Sequence, residues 1–265
     1  MVASPGRRAL LFHAGGVPLA LPLGEVREIA RAERGAVEVR LRGEPIRALR
    51  VAESLGLDPG EATFALALAE AGAPALLVDE LNGIADLAEA EVFRLPGRTA
   101  LPEPVPFRGA FLLRRTLWLE LEPGALAGGG SRVRAPWAGG ALPDATPSGR
   151  ELVCERGSTV LAVPISLLVQ VVEPALVHPV PLAPHGLRGV LYHGRALHPV
   201  LDAAVLLGQP ATGDPRVLLL LDAGGATAGV LVDRVRTVEE GAAGGPVRRP
   251  AWDALDAVLS PISPG

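Results

Sequence analysis

The first half of the chain is written again, loosely, in its second half, and this repeat constrains the fold more than any single residue. Leu10 to Ile29 lies without gaps on Leu152 to Val171, so that Gly15 meets Gly157 and Ala20-Leu21-Pro22-Leu23 meets Ala162-Val163-Pro164-Ile165. Two further blocks follow in the same order: Arg50 to Gly56 lies on Asp202 to Gly208, and Leu76 to Asp79 lies on Val230 to Asp233. The separation grows from 142 residues at Leu10/Leu152 to 152 at Gly56/Gly208 and 154 at Asp79/Asp233, which places an insertion of about ten residues between the first and second blocks. A repeat of this length is a whole domain rather than a solenoid unit.

Each copy is long enough to bury its own core. Aromatic residues are only 3% of the 265, so the core has to be built from Leu, Val, Ala and Ile. Most of these residues fall in short runs punctuated by Gly and Pro: Leu10 to Phe12, Val17 to Leu21, Thr63 to Leu68, Leu76 to Val78, Val160 to Val163, Val217 to Leu221 and Val230 to Val232. Such spacing predicts an all-β protein of barrels or sandwiches. Brief helices are expected at Val51 to Leu55 and Ala203 to Leu207, each stopped by glycine at Gly56 or Gly208. The alternation Leu117-Trp118-Leu119-Glu120-Leu121-Glu122 predicts a closing strand with one wet face. The domains are expected at residues 6–126 and 150–262, joined by a Gly/Pro/Ala-rich tether over 127–149.

Net charge is −4 and the arginines are scattered, which argues against nucleic acid as a partner. No apolar run reaches the length of a membrane span, and the expectation is a cytoplasmic protein without membrane insertion. The one cysteine, Cys154, sits in a strand-like run and is expected to be buried and inert. His185, His193 and His198 fall close together. They lack the accompanying Cys or Glu of a zinc motif, and His193 and His198 are expected on opposite strand faces, so no metal or other cofactor is expected. Asp222-Ala223-Gly224 resembles an aspartic protease triplet, but that chemistry needs two carboxylates sharing a proton, and a Gly-rich hairpin turn accounts for it better. Asp79 and Asp233 each follow an apolar strand, where the carboxylate is expected to accept backbone N–H bonds of the next turn.

The order of elements in the second half reads Leu161-Ala162-Val163-Pro164-Ile165, Val171 to Glu173, Pro181 to Pro184, Gly189 to Asp202 with its Pro199, Leu207-Gly208, and Gly229 to Val235. The first half repeats it as Val26 to Ile29, Arg42-Gly43, Leu55-Gly56, Leu77 to Leu81 and a closing stretch from Gly109 to Leu126. This order resembles the CheW-like domain, the adaptor fold of bacterial chemosensory arrays. The resemblance implies two tandem domains, each a pair of small SH3-like β-barrels with one or two short helices. It also implies a non-catalytic chemotaxis adaptor in signal transduction, peripheral to receptor arrays, whose partners are the regulatory domain of a CheA-type histidine kinase, the signalling tip of a methyl-accepting chemoreceptor and other CheW-like proteins.

By position, the resemblance points to Val26, Glu28 and Arg42 in the first domain as partner contacts, and to Val171, Glu173, Leu191, His193, Arg195 and Asp202 in the second. Each copy departs from the pattern in its own place. The second has Gly194-Arg195 where the first has Arg42-Gly43, the first has Arg47 and Arg50 where the second has Pro199 and Asp202, and residues 252–262 match the closing hairpin at Phe107 to Leu121 poorly. These departures keep two other readings open: a scaffold or competitor in a motility or polarity pathway that binds the kinase without receptor coupling, and, more remotely, a β-barrel hydrolase using Asp222.

Overall fold

The computed structural model describes residues 7–95, 105–126, 141–145, 149–173, 176–184, 186–210, 213–223, 226–240, 247–252 and 255. They fall into two compact units, one ending within residues 101–134 and the other beginning after residue 134. In the first unit the strands are β1 (Arg8–Ala14), β2 (Val17–Pro22), β3 (Val26–Arg31), β4 (Glu38–Leu41), β5 (Glu44–Arg50), β6 (Phe64–Leu68), β7 (Ala75–Val78), β8 (Glu80–Asp86), β9 (Glu91–Phe93), β10 (Phe107–Leu113) and β11 (Thr116–Leu121). They form two curled sheets, in the orders β8-β1-β2-β11-β10-β9 and β3-β6-β7-β5-β4. The two orders share one plan: an edge strand, an antiparallel hairpin, a parallel step (β2 to β11, β7 to β5) and a second antiparallel hairpin. A short helix follows the inner strand of that last hairpin in both sheets: α1 (Val51–Ser54) after β5 and α2 (Pro123–Leu126) after β11.

The second unit is built from β12 (Arg150–Arg156), β13 (Thr159–Pro164), β14 (Leu168–Val172), β15 (Leu187–His193), β16 (Ala196–Asp202), β17 (Val217–Ala223), β18 (Ala226–Val232), β19 (Arg234–Glu240) and β20 (Val247–Arg248), with α3 (Ala203–Leu206) after β16. Its sheets run β19-β12-β13-β20 and β14-β17-β18-β16-β15. The repeat extends to single hydrogen bonds. Gly15 N donates to Asp79 Oδ2 and Gly157 N to Asp233 Oδ2, both at 2.7 Å. Asp79 N donates to His13 O at 2.9 Å and Asp233 N to Glu155 O at 2.8 Å. Both aspartates therefore tie down the turn of the unit's opening hairpin rather than the turn that follows them. Gly56 and Gly208 end α1 and α3 at φ 63° and 71°, the left-handed conformation that glycine adopts without Cβ strain.

Two expectations change, and the poor match of the second closing hairpin finds a reason. β11 has no wet face: it lies between β2 and β10, Trp118 packs into a cluster with Leu11, Ala20 and Phe111, and the buried Glu120 is ion-paired with Arg7. Residues 141–145, assigned by composition to the tether, pack instead as part of the second unit, with Leu142 only 2% exposed. Between β19 and β20 the second unit has no room for a counterpart of β9 and β10. Residues 87–115 separate β8 from β11, whereas only residues 241–246 separate β19 from β20. Two strands and their turn do not fit in six residues.

Candidate functional site

In the first unit the structure brings together two residues that the sequence nominated separately. Glu28 lies on β3, which among the described residues is an edge strand paired with β6, and Arg42 sits in the two-residue turn between β4 and β5. Arg42 Nε donates to Glu28 Oε2 at 3.1 Å, and both side chains remain accessible. Arg42 and Gly43 have φ of 52° and 88°, the backbone of a tight primed hairpin turn. An arginine in that conformation costs about 1–2 kcal/mol relative to glycine. Val26 is half-buried on the same strand and Ile29 is exposed, so β3 presents an open backbone edge with one ion pair and one apolar side chain.

The equivalent edge of the second unit, β14, has different chemistry. A register shift between Val26 and Glu28 on β3 recurs between Leu168 and Gln170 on β14, 142 residues on. Leu168 and Gln170 are thus the counterparts of Val26 and Glu28, and the nominated Val171 and Glu173 stand three positions further along. Val171 is exposed, as is Val169 at 54%, and Glu173 is exposed just beyond the strand end. Gly194 holds the position of Arg42 and Gln170 that of Glu28, so the Arg42–Glu28 ion pair has no counterpart among the described residues. Arg195 follows it, exposed, with φ 63°.

Two nominated residues lie inside. Leu191 is 5% exposed and packs with Val200, Leu218, Leu220 and Leu231. Asp202 is fully buried, at 0% exposure. Its Oδ1 accepts from Arg156 Nε at 2.7 Å and from the Ala204 N–H at 3.0 Å at the start of α3. Its Oδ2 accepts from Arg156 Nη2 at 2.8 Å and Arg188 Nη2 at 2.7 Å. Arg156 Nη1 also donates to Asp233 Oδ1 at 3.1 Å. Burial alone would raise the Asp202 pKa, but the hydrogen bonds from Arg156, Arg188 and the Ala204 N–H together hold it below the ordinary carboxylate value. This cluster ties β12 and the β18–β19 junction to β16. It is structural, and neither Leu191 nor Asp202 is placed to touch a partner.

Sequence reasoning missed Arg156 and Arg188, and also Arg108 in the first unit. Arg108 Nη2 donates to Glu122 Oε1 at 2.9 Å and the same guanidinium pairs with Glu25. These groups line a cavity of about 250 Å³ together with Leu68 and Glu70. A signal existed. Phe107-Arg108-Gly109 and Leu187-Arg188-Gly189 each precede an acid, Glu122 or Asp202, by fourteen residues from the arginine, and in both hairpins that arginine clasps that acid.

His193 and His198 face the same way, contrary to expectation, because the Gly194-Arg195 turn folds β15 onto β16 so that Leu191 pairs with His198 and His193 with Ala196. Their ring centroids are 6.4 Å apart. Among the described residues no three His, Cys, Asp or Glu side chains converge as metal ligands, and His185 lies outside those residues. Asp222 is exposed in the β17–β18 hairpin opposite Thr227. Cys154 is fully buried, and desolvation pushes its thiol pKa up to about 12. Alkylation at pH 8 is therefore expected to follow global unfolding of the second unit, with a half-time at least about a hundredfold longer than that of a free thiol. Labelling at the free-thiol rate in the native protein would show the strand to be open.

A repeated pair of curled sheets, with open strand edges and tight hairpin tips, defines a class of tandem small β-barrel domains. The family model of the CheW-like domain matches residues 151–243, within the second unit. Among solved structures the chain is similar to the scaffolding protein TtCheW from Thermoanaerobacter tengcongensis, at 20% identity and a TM-score of 0.33 over 36% of this chain and 66% of that one. The match thus spans just under two thirds of that protein's length. Among the curated proteins none matches. No helix among the described residues is long and apolar enough to cross a membrane.

Proposed function

We propose that the chain is a non-catalytic adaptor of a bacterial chemosensory system, in which two CheW-like domains couple chemoreceptor signalling tips to the regulatory domain of a CheA-type histidine kinase on the cytoplasmic side of the array. The observation that carries this reading is the CheW-like match of the second unit; the repeat of its strand plan and hydrogen bonds in residues 7–126 supports a second, diverged copy there. The two open edges divide the work. The β3 edge, with Glu28, Arg42 and Val26, suits a partner of mixed charge, whereas the β14 edge exposes Val169 and Val171 ahead of Glu173 and offers mainly apolar surface, with Arg195 and His193 on the separate β15–β16 hairpin. Tethering two sites in one chain raises the effective concentration for the second contact into the millimolar range when the tether spans both.

Arg42→Glu is expected to weaken binding of one partner at least about tenfold while leaving thermal stability within about 0.5 kcal/mol, because an exposed ion pair contributes little to folding. The swap Arg42→Glu with Glu28→Arg should restore part of the affinity. Titration of the full chain with the kinase regulatory domain and with a receptor tip checks this, and unchanged affinity for both would remove the β3 edge from the interface. The absence of the ion pair from the second unit favours one further reading, a competitor that binds the kinase alone; it predicts kinase binding with no receptor binding in the same titrations.

A further inference from the structure

Among the described residues the second unit has no strand like the one that covers the outer edge of β11 in the first unit, yet the corresponding edge at residues 249–251 is not bare. In the first unit Glu122 N donates to Pro106 O at 2.8 Å and Phe107 pairs with Leu121. In the second, Ala251 N donates to Pro143 O at 2.7 Å and Asp144 bridges Pro250 in antiparallel sense. The register is the same: β11 meets β2 through Leu119–Leu19 and β20 meets β13 through Arg248–Leu161, so Pro250 and Ala251 are the counterparts of Leu121 and Glu122. Residues 143–145 therefore occupy the place where β10 begins, and they reach it from the opposite end of the domain in sequence.

Three further contacts hold the segment. Ala145 N donates to Arg249 O at 2.6 Å, Arg248 Nε donates to Asp144 Oδ1 at 2.8 Å, and Leu142 N donates to Leu206 O at 2.8 Å while its side chain is buried. β20 itself pairs with β13 at only two positions, Val247 and Arg248, so an uncovered edge there would leave a two-residue strand with neighbours on one side alone. Isolated strands of that length have no independent stability.

We propose that Ala141–Ala145 is a donor strand in cis. It replaces the hairpin missing between β19 and β20, and it makes closure of the sheet β19-β12-β13-β20 conditional on the stretch of chain that joins the two units. Capture of that stretch would then open the β20 edge without touching β14 or its sheet, which gives the joining segment control over one barrel of the CheW-like domain.

The test is hydrogen exchange on the full chain carrying Leu142→Asp or Ala145→Pro, with and without a synthetic peptide of residues 138–149 at about 1 mM, comparable to the effective concentration of a short tether. Leu142→Asp is expected to lower amide protection over Val160–Val163 and Val247–Arg249 by roughly thirtyfold or more, and Ala145→Pro, which deletes one backbone donor and keeps Leu142, by roughly fivefold. β1, β2 and β10 should be unaffected, and the peptide should restore protection in Leu142→Asp. Unchanged protection in both variants would overturn the proposal. So would a loss in Leu142→Asp that the peptide does not reverse, since Leu142 would then be an ordinary core residue. If Leu142→Asp does not fold, Ala145→Pro decides alone.

Discussion

Asp202→Ala is expected to destabilise the second unit by about 3–5 kcal/mol, the cost of leaving a buried charge without its counter-ion. The buried Arg156 would lose both of its hydrogen bonds to the carboxylate while its contact to Asp233 remains, and Arg188 would lose both of its own. The N-cap of α3 would go too, which adds about 1 kcal/mol within that range. The first unit shows that the cluster is one solution among others. Ala14 stands where Arg156 stands and Arg50 where Asp202 stands, and Arg50 reaches outward to Glu53 and Gly60 O instead. Arg156→Ala in the Asp202→Ala background should therefore cost less than the two single changes combined, a coupling that a double-mutant cycle in urea measures directly.

The pH dependence has a definite sign. Folding holds the Asp202 carboxyl below its ordinary value of roughly 3.9, so its contribution is complete above that pH and is lost as pH falls through the folded value. A stability loss below about 1 kcal/mol for Asp202→Ala would mean that water replaces the carboxylate and that the cluster is not closed.

Gly189→Ala is the second large effect, at about 3 kcal/mol or more. Gly189 has φ 143° at the register shift in β15, and a Cβ there would stand 2.1 Å from the carbonyl oxygen of His178 and 3.0 Å from Pro179 Cα. That carbonyl cannot step aside freely, because it accepts from Val190 N at 2.9 Å while His178 N donates to Val190 O at 2.8 Å. The substitution must break this bridge or distort the bulge, and strained backbone is added to the clash. Gly43→Ala makes the contrast. Gly43 also has positive φ, at 88°, but nothing lies within 4 Å of its Cβ position, so only the conformational cost of about 1–2 kcal/mol remains. Chemical denaturation of the two variants should separate them clearly, and similar losses for both would place the cost at Gly189 in its dihedral angle alone.

The strands were legible because the apolar runs are short and the chain between them is punctuated by glycine and proline, and the helix stops because Gly56 and Gly208 are needed there in left-handed geometry. The burial of polar residues was not legible, because their partners are far away in the chain. Glu120 looks like the wet face of β11 until Arg7, 113 residues earlier, is seen to cover it, and Asp202 looks like a surface carboxylate until Arg156 and Arg188 close on it. The Val-x-Glu pattern at β14 matches β3 in residue type and not in register. The shift shared by β3 and β14 shows that Gln170, not Glu173, answers Glu28. Residues 141–145 were hidden by composition: a Pro- and Ala-rich stretch reads as tether, and only the shortness of residues 241–246 hints that a strand must come from elsewhere.

Whether this chain is a chemosensory adaptor is decided by titration calorimetry of the full chain against the regulatory domain of a CheA-type kinase and, separately, a receptor signalling tip from the same organism. An adaptor of this kind should bind both saturably, with dissociation constants at or below about 10 µM, and Arg42→Glu should weaken one of the two. Absence of binding to either partner at roughly 50 µM would contradict it, leaving a CheW-like domain that serves some other assembly.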